Sequence, residues 1–197
     1  MPTSKLTEAY TRLDAFNAAD PRLDLVDGRE EPRELLYARR MSAMLDRFEP
    51  HASEPLRLAV RAQHIGRWAI PRSDFPEGRT GYKRWRSTLM QYHADTAGEI
   101  LREVGYGEDV VARVAQLLRK QGLKRDDEVQ TLEDVVCLVF LEHYLDDFAR
   151  EHQEEKIVDI LRKTWAKMSE RGHAAALELE LTPETKRLVG LARSRSS

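Results

Sequence analysis

Along the chain, apolar residues at Tyr37, Met41, Met44, Leu45 and Phe48 fall at i, i+4, i+7, i+8 and i+11, the stripe of an amphipathic helix, with Pro32 near its start. A shorter helix over about Leu6 to Ala18 precedes it and ends before the turn signal Asp20-Pro21. After Pro55, Leu58, Ala62, Ile65 and Ala69 share one side until Ile70-Pro71, where proline pushes the residue before it out of the α region. His64 falls on a different face of that predicted helix, between Val60 and Trp68. The segment PRSDFPEGRTG that follows holds two prolines and two glycines and predicts an irregular loop, Pro71 to Gly81, of a length usually kept for function.

Beyond Gly81, the positions Trp85, Leu89, Tyr92, His93, Thr96, Ala97, Ile100 and Val104 trace an inward stripe that ends at Gly105. A helix of about Asp109 to Gln121 comes next, stopped by Gly122, then a polar linker KRDDEVQ and a strongly apolar helix from about Thr131 to Arg150. Ile157, Ile160, Leu161, Thr164, Trp165 and Met168 mark a further helix with Gly172 as its stop, and a last one follows Pro183. No period-2 strand pair, internal repeat or low-complexity tract stands out. The pattern predicts an all-α, single-domain helical bundle of about seven or eight helices over residues 1–192, with residues 193–197 as a short disordered tail.

Composition narrows the function classes. Thirty-two basic against 34 acidic residues in a chain of 197 give a formal charge of −2, so no global field favours nucleic acid or an anionic membrane. A small anionic ligand is the better expectation, with nucleic acid less favoured. The one cysteine, Cys137, lies within the apolar run Val135 to Leu141 and can close no intramolecular disulfide, which fits the reducing cytoplasm. That seven-residue run is the longest, and MPTSKLTEAY holds no apolar core for a signal peptide, so neither export nor a membrane span is expected.

Three polar residues stand out against the apolar pattern: His64 between Val60 and Trp68, His93 on the inward stripe, and Asp134 at the mouth of the apolar helix. Two imidazoles and a carboxylate are ligands suited to one divalent metal. Each also has a plainer reading, the histidines as hydrogen-bonded core residues and Asp134 as part of a capping box Thr131-Leu-Glu-Asp134. His143, His152 and His173 are weaker candidates, with His143 after the apolar run and His152 among charges reading as surface residues rather than ligands. A second feature is charge: Arg57, Arg61, Arg67, Arg72, Arg79, Lys83, Arg84 and Arg86 face only Asp74 and Glu77 in the same stretch. Arg67, Arg72, Arg84 and Arg86, interleaved with Trp68, Tyr82 and Trp85, form a candidate anion site, because guanidinium forks suit phosphate and aromatic faces suit a planar group. The plainer reading pairs this stretch with the acids between Glu142 and Asp159. No Gly-rich phosphate loop, G-x-S-x-G or C-x-x-C occurs.

The strings RAQHIGRWAIPRSDFPEGRTGYKRW, YHADTAGEIL, LEDVVCLVFLEHY and ILRKTWAKMSERGH resemble an uncharacterised family, domain of unknown function 4202, over Leu6 to about Ala192. More distantly, the chain is similar to the HD-domain metal-dependent phosphohydrolases, all-α proteins named for a His-Asp doublet. In that comparison RAQHI occupies the doublet, with His64 as its histidine, and LEDVV carries the distal aspartate, Asp134. The doublet's aspartate position holds Ile65, which cannot ligate a metal, and the upstream histidine position falls near Arg39 and Arg40. The resemblance thus implies two alternatives. One is an HD-like domain that hydrolyses a small phosphorylated ligand with one divalent metal on His64, His93 and Asp134. The other is a non-catalytic domain, its metal site degenerate, that binds a nucleotide, an RNA end or a protein.

Overall fold

A computed structural model describes residues 4–194, and its architecture is all-α, with ten α-helices, two short 3-10 turns and a single hairpin among those residues. The described residues divide into two compact units, one up to Gly122 and one from Leu123 onward.

The first unit holds α1 (Lys5–Asn17), a hairpin of β1 (Leu23–Val26) and β2 (Arg29–Pro32), then α2 (Arg33–Phe48), α3 (Glu54–Arg61), α4 (Gly78–Val104) and α5 (Glu108–Leu118). α1 starts on Ser4, whose hydroxyl accepts from the Thr7 amide, and α3 starts on Ser53, which does the same for Leu56. α4 stops at Gly105, where φ of +90° lets the Tyr106 amide turn back to the Leu101 carbonyl. The core where these helices meet is aliphatic, with Leu13, Met41, Leu58, Ile65, Leu101 and Leu117 wholly excluded from water. Each such side chain contributes roughly 1.5–3 kcal/mol of transfer free energy.

The second unit holds α6 (Asp127–His143), α7 (Leu145–Glu151), α8 (Glu154–Trp165), α9 (Glu170–Glu178) and α10 (Pro183–Ser194). α6 begins at Asp126, whose carboxylate accepts from the Glu128 and Val129 amides, both at 3.1 Å. Leu132, Val135, Leu138 and Leu145 form the centre of this unit.

Several elements differ from the sequence pattern. The hairpin is one: Leu23-Asp-Leu-Val does alternate, and Asp27-Gly28 makes a two-residue turn with φ of 50° and 76°, the mirror-image turn that matches strand twist. The helix expected to run to Ala69 ends at Arg61, and residues 62–66 form a turn, so His64 lies on no helix. The expected loop shrinks, because α4 already begins at Gly78 and includes Gly81. There a Cβ would lie 1.7 Å from the Pro76 carbonyl oxygen, so only glycine fits. The long apolar helix breaks at Tyr144, whose φ of −128° ends α6 before α7 resumes. Gly172 lies inside α9 rather than stopping α8. Of the predicted tail, Arg193 and Ser194 belong to α10, and residues 195–197 lie outside the described residues.

Candidate functional site

The turn between α3 and α4 builds the site. Gly66 adopts φ of +64°, and a Cβ there would come within 2.8–2.9 Å of the Tyr92 and Phe16 rings. Its amide donates to the Asn17 side-chain oxygen at 3.2 Å, tying the turn to the end of α1. This geometry directs His64 toward α2, the Ile65 carbonyl toward His93 on α4, and Arg67 toward Trp85.

His64 lies flat on Tyr37, with ring centroids 4.1 Å apart and planes 13° from parallel. Its Nε2 is 2.9 Å from Arg67 Nη1, which is 3.4 Å from Nδ1. A guanidinium only donates, and with Nη1 close to both ring nitrogens it stands over the imidazole and does not fix which nitrogen carries the proton. Nδ1 faces the buried carboxylate of Glu34, 3.4 Å from Oε2. The other Glu34 oxygen accepts from Arg22 Nη2 at 2.9 Å. Arg22 in turn grips both oxygens of Asp20 at 3.0 Å, and Asp20 Oδ2 accepts from the Glu34 amide at 3.2 Å. A chain of contacts thus runs Asp20, Arg22, Glu34, His64, Arg67.

His93 is 3% exposed, its ring 5.9 Å from that of His64. Its Nδ1 donates to the Ile65 carbonyl at 2.7 Å, which leaves the Nε2 lone pair without a protein partner among the described residues. Arg67 spreads over the Trp85 ring, 5.1 Å from its centroid, and Trp85 is fixed by its Nε1 donating to the Ile70 carbonyl at 2.9 Å.

The local charges follow from burial and unbalanced cations. Burial, then Arg67, His93, Arg86 and Lys120, hold the His64 imidazolium form far below its usual range. His93 is pushed down to about 4, chiefly by burial against the opposing hydrogen bond to Ile65. Burial raises Glu34 to about 7, although Arg67 and Arg22 pull it down. Arg67 is itself lowered by its burial, with only partial relief from Glu34.

The basic stretch separates into groups with different roles. Arg57 and Arg61 are neutralised by Asp46 and Asp14. Arg72 donates to the Phe75 and Pro76 carbonyls and so holds the connection ahead of α4. Arg79, Lys83 and Arg84 are exposed. Arg67 and Arg86 are half-buried, and neither has a carboxylate partner among the described residues. Tyr82 is 51% exposed and packs at 5.8 Å against Trp85, while Trp68 is half-buried against Phe16.

Asp134 belongs to the second unit, and its oxygens are engaged there. Oδ1 accepts from the Ser169 amide at 2.8 Å and from Gln130 at 3.1 Å, and Oδ2 accepts from the Ser169 hydroxyl at 2.5 Å. It braces Ser169, the N-cap of α9, rather than capping its own helix. Of the three expected metal ligands, His64 lies under the Arg67 guanidinium and both Asp134 oxygens are occupied, so only His93 Nε2 presents a free donor. Among the described residues, no group of three or more His, Cys, Asp or Glu is placed to hold a metal ion. Elsewhere in this unit His173 stacks on Trp165 and bonds its carbonyl, His143 contacts Glu142, and His152 packs on Phe148.

Sequence reasoning passed over Glu34, Asp20 and Arg22. A signal was present: counting back three from Tyr37 along the α2 stripe arrives at Glu34, a carboxylate on the buried face.

A family model described as Domain of unknown function (DUF4202) matches residues 7–189. No curated protein and no solved structure matches.

Proposed function

The chain belongs to the DUF4202 family across nearly its whole length, and from that premise we propose that its first unit binds a small phosphorylated or otherwise anionic ligand through Arg67 and Arg86. One observation carries this reading. Arg67 is a half-buried guanidinium in direct contact with an imidazole and an aromatic face and only partly offset by the Glu34 charge, where Arg61 in the same unit is bound directly by a carboxylate. Desolvating a cation without pairing it costs free energy, and a bound anion recovers that cost. The remaining guanidinium donors of Arg67 and those of Arg86 supply the attraction. His93 Nε2 adds an acceptor for a ligand hydroxyl or a protonated phosphate oxygen.

Of the two alternatives the resemblance implies, the geometry favours the non-catalytic one on an HD-like helical scaffold. The donor set of His64, His93 and Asp134 does not fit a divalent metal as folded, so no metal-dependent step belongs to this reading. The single cysteine, free and buried, suits a cytoplasmic setting, and no helix of the described residues is long and apolar enough to cross a membrane.

Isothermal titration with inorganic phosphate and with pyrophosphate tests the proposal. Wild-type protein is expected to bind, with affinity falling as salt rises, and Arg67→Gln to lose about tenfold or more, as for a lost hydrogen bond to a charged group. Exposed Arg84→Gln serves as the control and keeps the affinity. Absence of binding by wild type, or equal binding by Arg67→Gln, overturns the reading.

A further inference from the structure

Around Arg67 the first unit presents three chemically different groups. The first is positive charge: Arg86 acts on Arg67, His64 and His93 alike, and Glu34 offsets the Arg67 charge only in part. The second is a lone pair. His93 is 3% exposed and its Nδ1 donates to the Ile65 carbonyl at 2.7 Å, so its Nε2 is left as an acceptor with no protein donor among the described residues. The third is an open aromatic face. Trp85 is 8% exposed and lies under Arg67 at 5.1 Å, but Tyr82, packed against it at 5.8 Å, is the one aromatic among the large apolar side chains that the described residues leave exposed. Tyr82 stands four residues before Arg86 on α4, so the two are neighbours on one side of the helix, and Tyr82 is also among the groups whose charges act on Arg67.

Each group selects a different part of a ligand. Guanidinium forks take a phosphate, and a buried acceptor left unmatched costs free energy that a ligand hydroxyl recovers. An exposed ring beside cations takes a planar group by stacking, whichever base that group is. Inorganic phosphate satisfies only the first of these, a sugar phosphate the first two, and an aryl phosphate the first and third. A nucleoside monophosphate satisfies all three, with its hydroxyls between the phosphate and the planar end. Arg67 and Tyr82 share Trp85 as a neighbour, which keeps the cation and the open ring close enough for one small ligand to touch both.

We propose that the ligand of this site is a nucleoside monophosphate, with its phosphate on Arg67 and Arg86, a ribose hydroxyl donating to His93 Nε2 and its base stacked on Tyr82. This rests on the anion-binding reading, and it makes Tyr82 the residue that separates nucleotides from other phosphate esters.

Isothermal titration of the full chain uses inorganic phosphate, ribose 5-phosphate, AMP, UMP and 2′,3′-dideoxy-AMP as probes, with wild type, Tyr82→Ala and Tyr82→Phe. Wild type is expected to bind AMP and UMP about tenfold more tightly than ribose 5-phosphate, the size of one base stacked on an aromatic ring. Tyr82→Ala should lose that advantage and keep its affinity for inorganic phosphate, while Tyr82→Phe retains both. The dideoxy nucleotide, which lacks the ribose hydroxyls, should bind wild type about fivefold more weakly than AMP. An AMP affinity no higher than that of ribose 5-phosphate in wild type overturns the proposal, whatever the stability of the variants. An AMP advantage that survives in Tyr82→Ala does so as well, and equal binding of AMP and its dideoxy form overturns the His93 contact. If no probe binds, the anion-binding reading itself fails, whereas phosphate binding without the AMP advantage leaves that reading standing and refutes the nucleoside.

Discussion

Arg67 Nη1 lies 2.9 Å from His64 Nε2, whereas Arg61, at the end of α3 before the turn of residues 62–66, donates through two nitrogens to the Asp14 carboxylate. The two arginines differ in what their removal should do. Replacing Arg61 leaves a half-buried carboxylate unpaired. Replacing Arg67 leaves no carboxylate without a direct partner, since Glu34 keeps its bond to Arg22, although it loses the attraction of the Arg67 charge.

Arg61→Met should therefore destabilise by about 2 kcal/mol or more, as for breaking a partly buried charge pair. Arg67→Met should be neutral or gain up to about 1 kcal/mol, the usual sign where a functional residue is held against stability. Chemical denaturation of both variants checks this, and a large loss in Arg67→Met would mean that the guanidinium is a structural contact.

Acid stability should carry the signature of the two histidines. His93 falls from 6.5 in the unfolded chain to about 4 in the folded one, so its contribution is complete above 6.5 and is lost as pH drops toward 4. His64 acts in the same direction. Glu34 acts the other way: raised from 4.5 to about 7, its contribution is present below 4.5 and fades as pH rises through 7. His93→Asn keeps a donor for the Ile65 carbonyl but cannot titrate, so it should lose less stability than wild type between pH 6.5 and 4, by an amount on the order of 3 kcal/mol. Glu34→Gln removes the opposing contribution and should steepen the acid loss. Urea midpoints measured across this range decide it, and parallel curves for wild type and His93→Asn would refute it.

Asp134 receives the amide and hydroxyl of Ser169, and the same hydroxyl accepts from the Gly172 amide to start α9. Asp134→Ala should cost about 2–4 kcal/mol by stranding those donors, and Ser169→Ala about 1–2 kcal/mol as the loss of a cap. A similar loss for Gly172→Ala is expected, because its Cβ would meet Asp134 Oδ1 at 2.6 Å. Thermal melts of the three variants test the cap, which would be refuted by an Asp134→Ala protein as stable as wild type.

Gly66→Ala combines a left-handed backbone with overlap against Tyr92 and Phe16, and should cost about 2–4 kcal/mol. Asn17→Ala, which removes the acceptor of the Gly66 amide, should weaken the same turn by a smaller amount. If Gly66→Ala melted with wild type, the close approach that seats His64 would have to be discarded.

Much of the fold was legible along the chain, because burial imposes a period on each helix. The Tyr37 to Phe48 stripe became α2, and the inward stripe ending at Gly105 became α4. The hairpin at Asp27-Gly28 was missed although its turn residues were in view, since four-residue strands supply too few positions for a period to stand out. The break at Tyr144 had no signal, with no glycine or proline to mark it and apolar residues continuing on both sides.

The candidate site divides in the same way. Local pattern alone located the segment from Gln63 to His93, the buried placement of His93 and the cationic character around Arg67, because each depends on residue type within a few turns of chain. It also carried the α2 stripe that points to Glu34. That Arg67 stands over the His64 ring, which carboxylate stands behind it, and that Asp134 serves Ser169 were decided only by the tertiary structure. Hydrogen-bond partners are chosen by distances of about 3 Å between groups far apart in the chain, and no periodicity along a sequence records those distances.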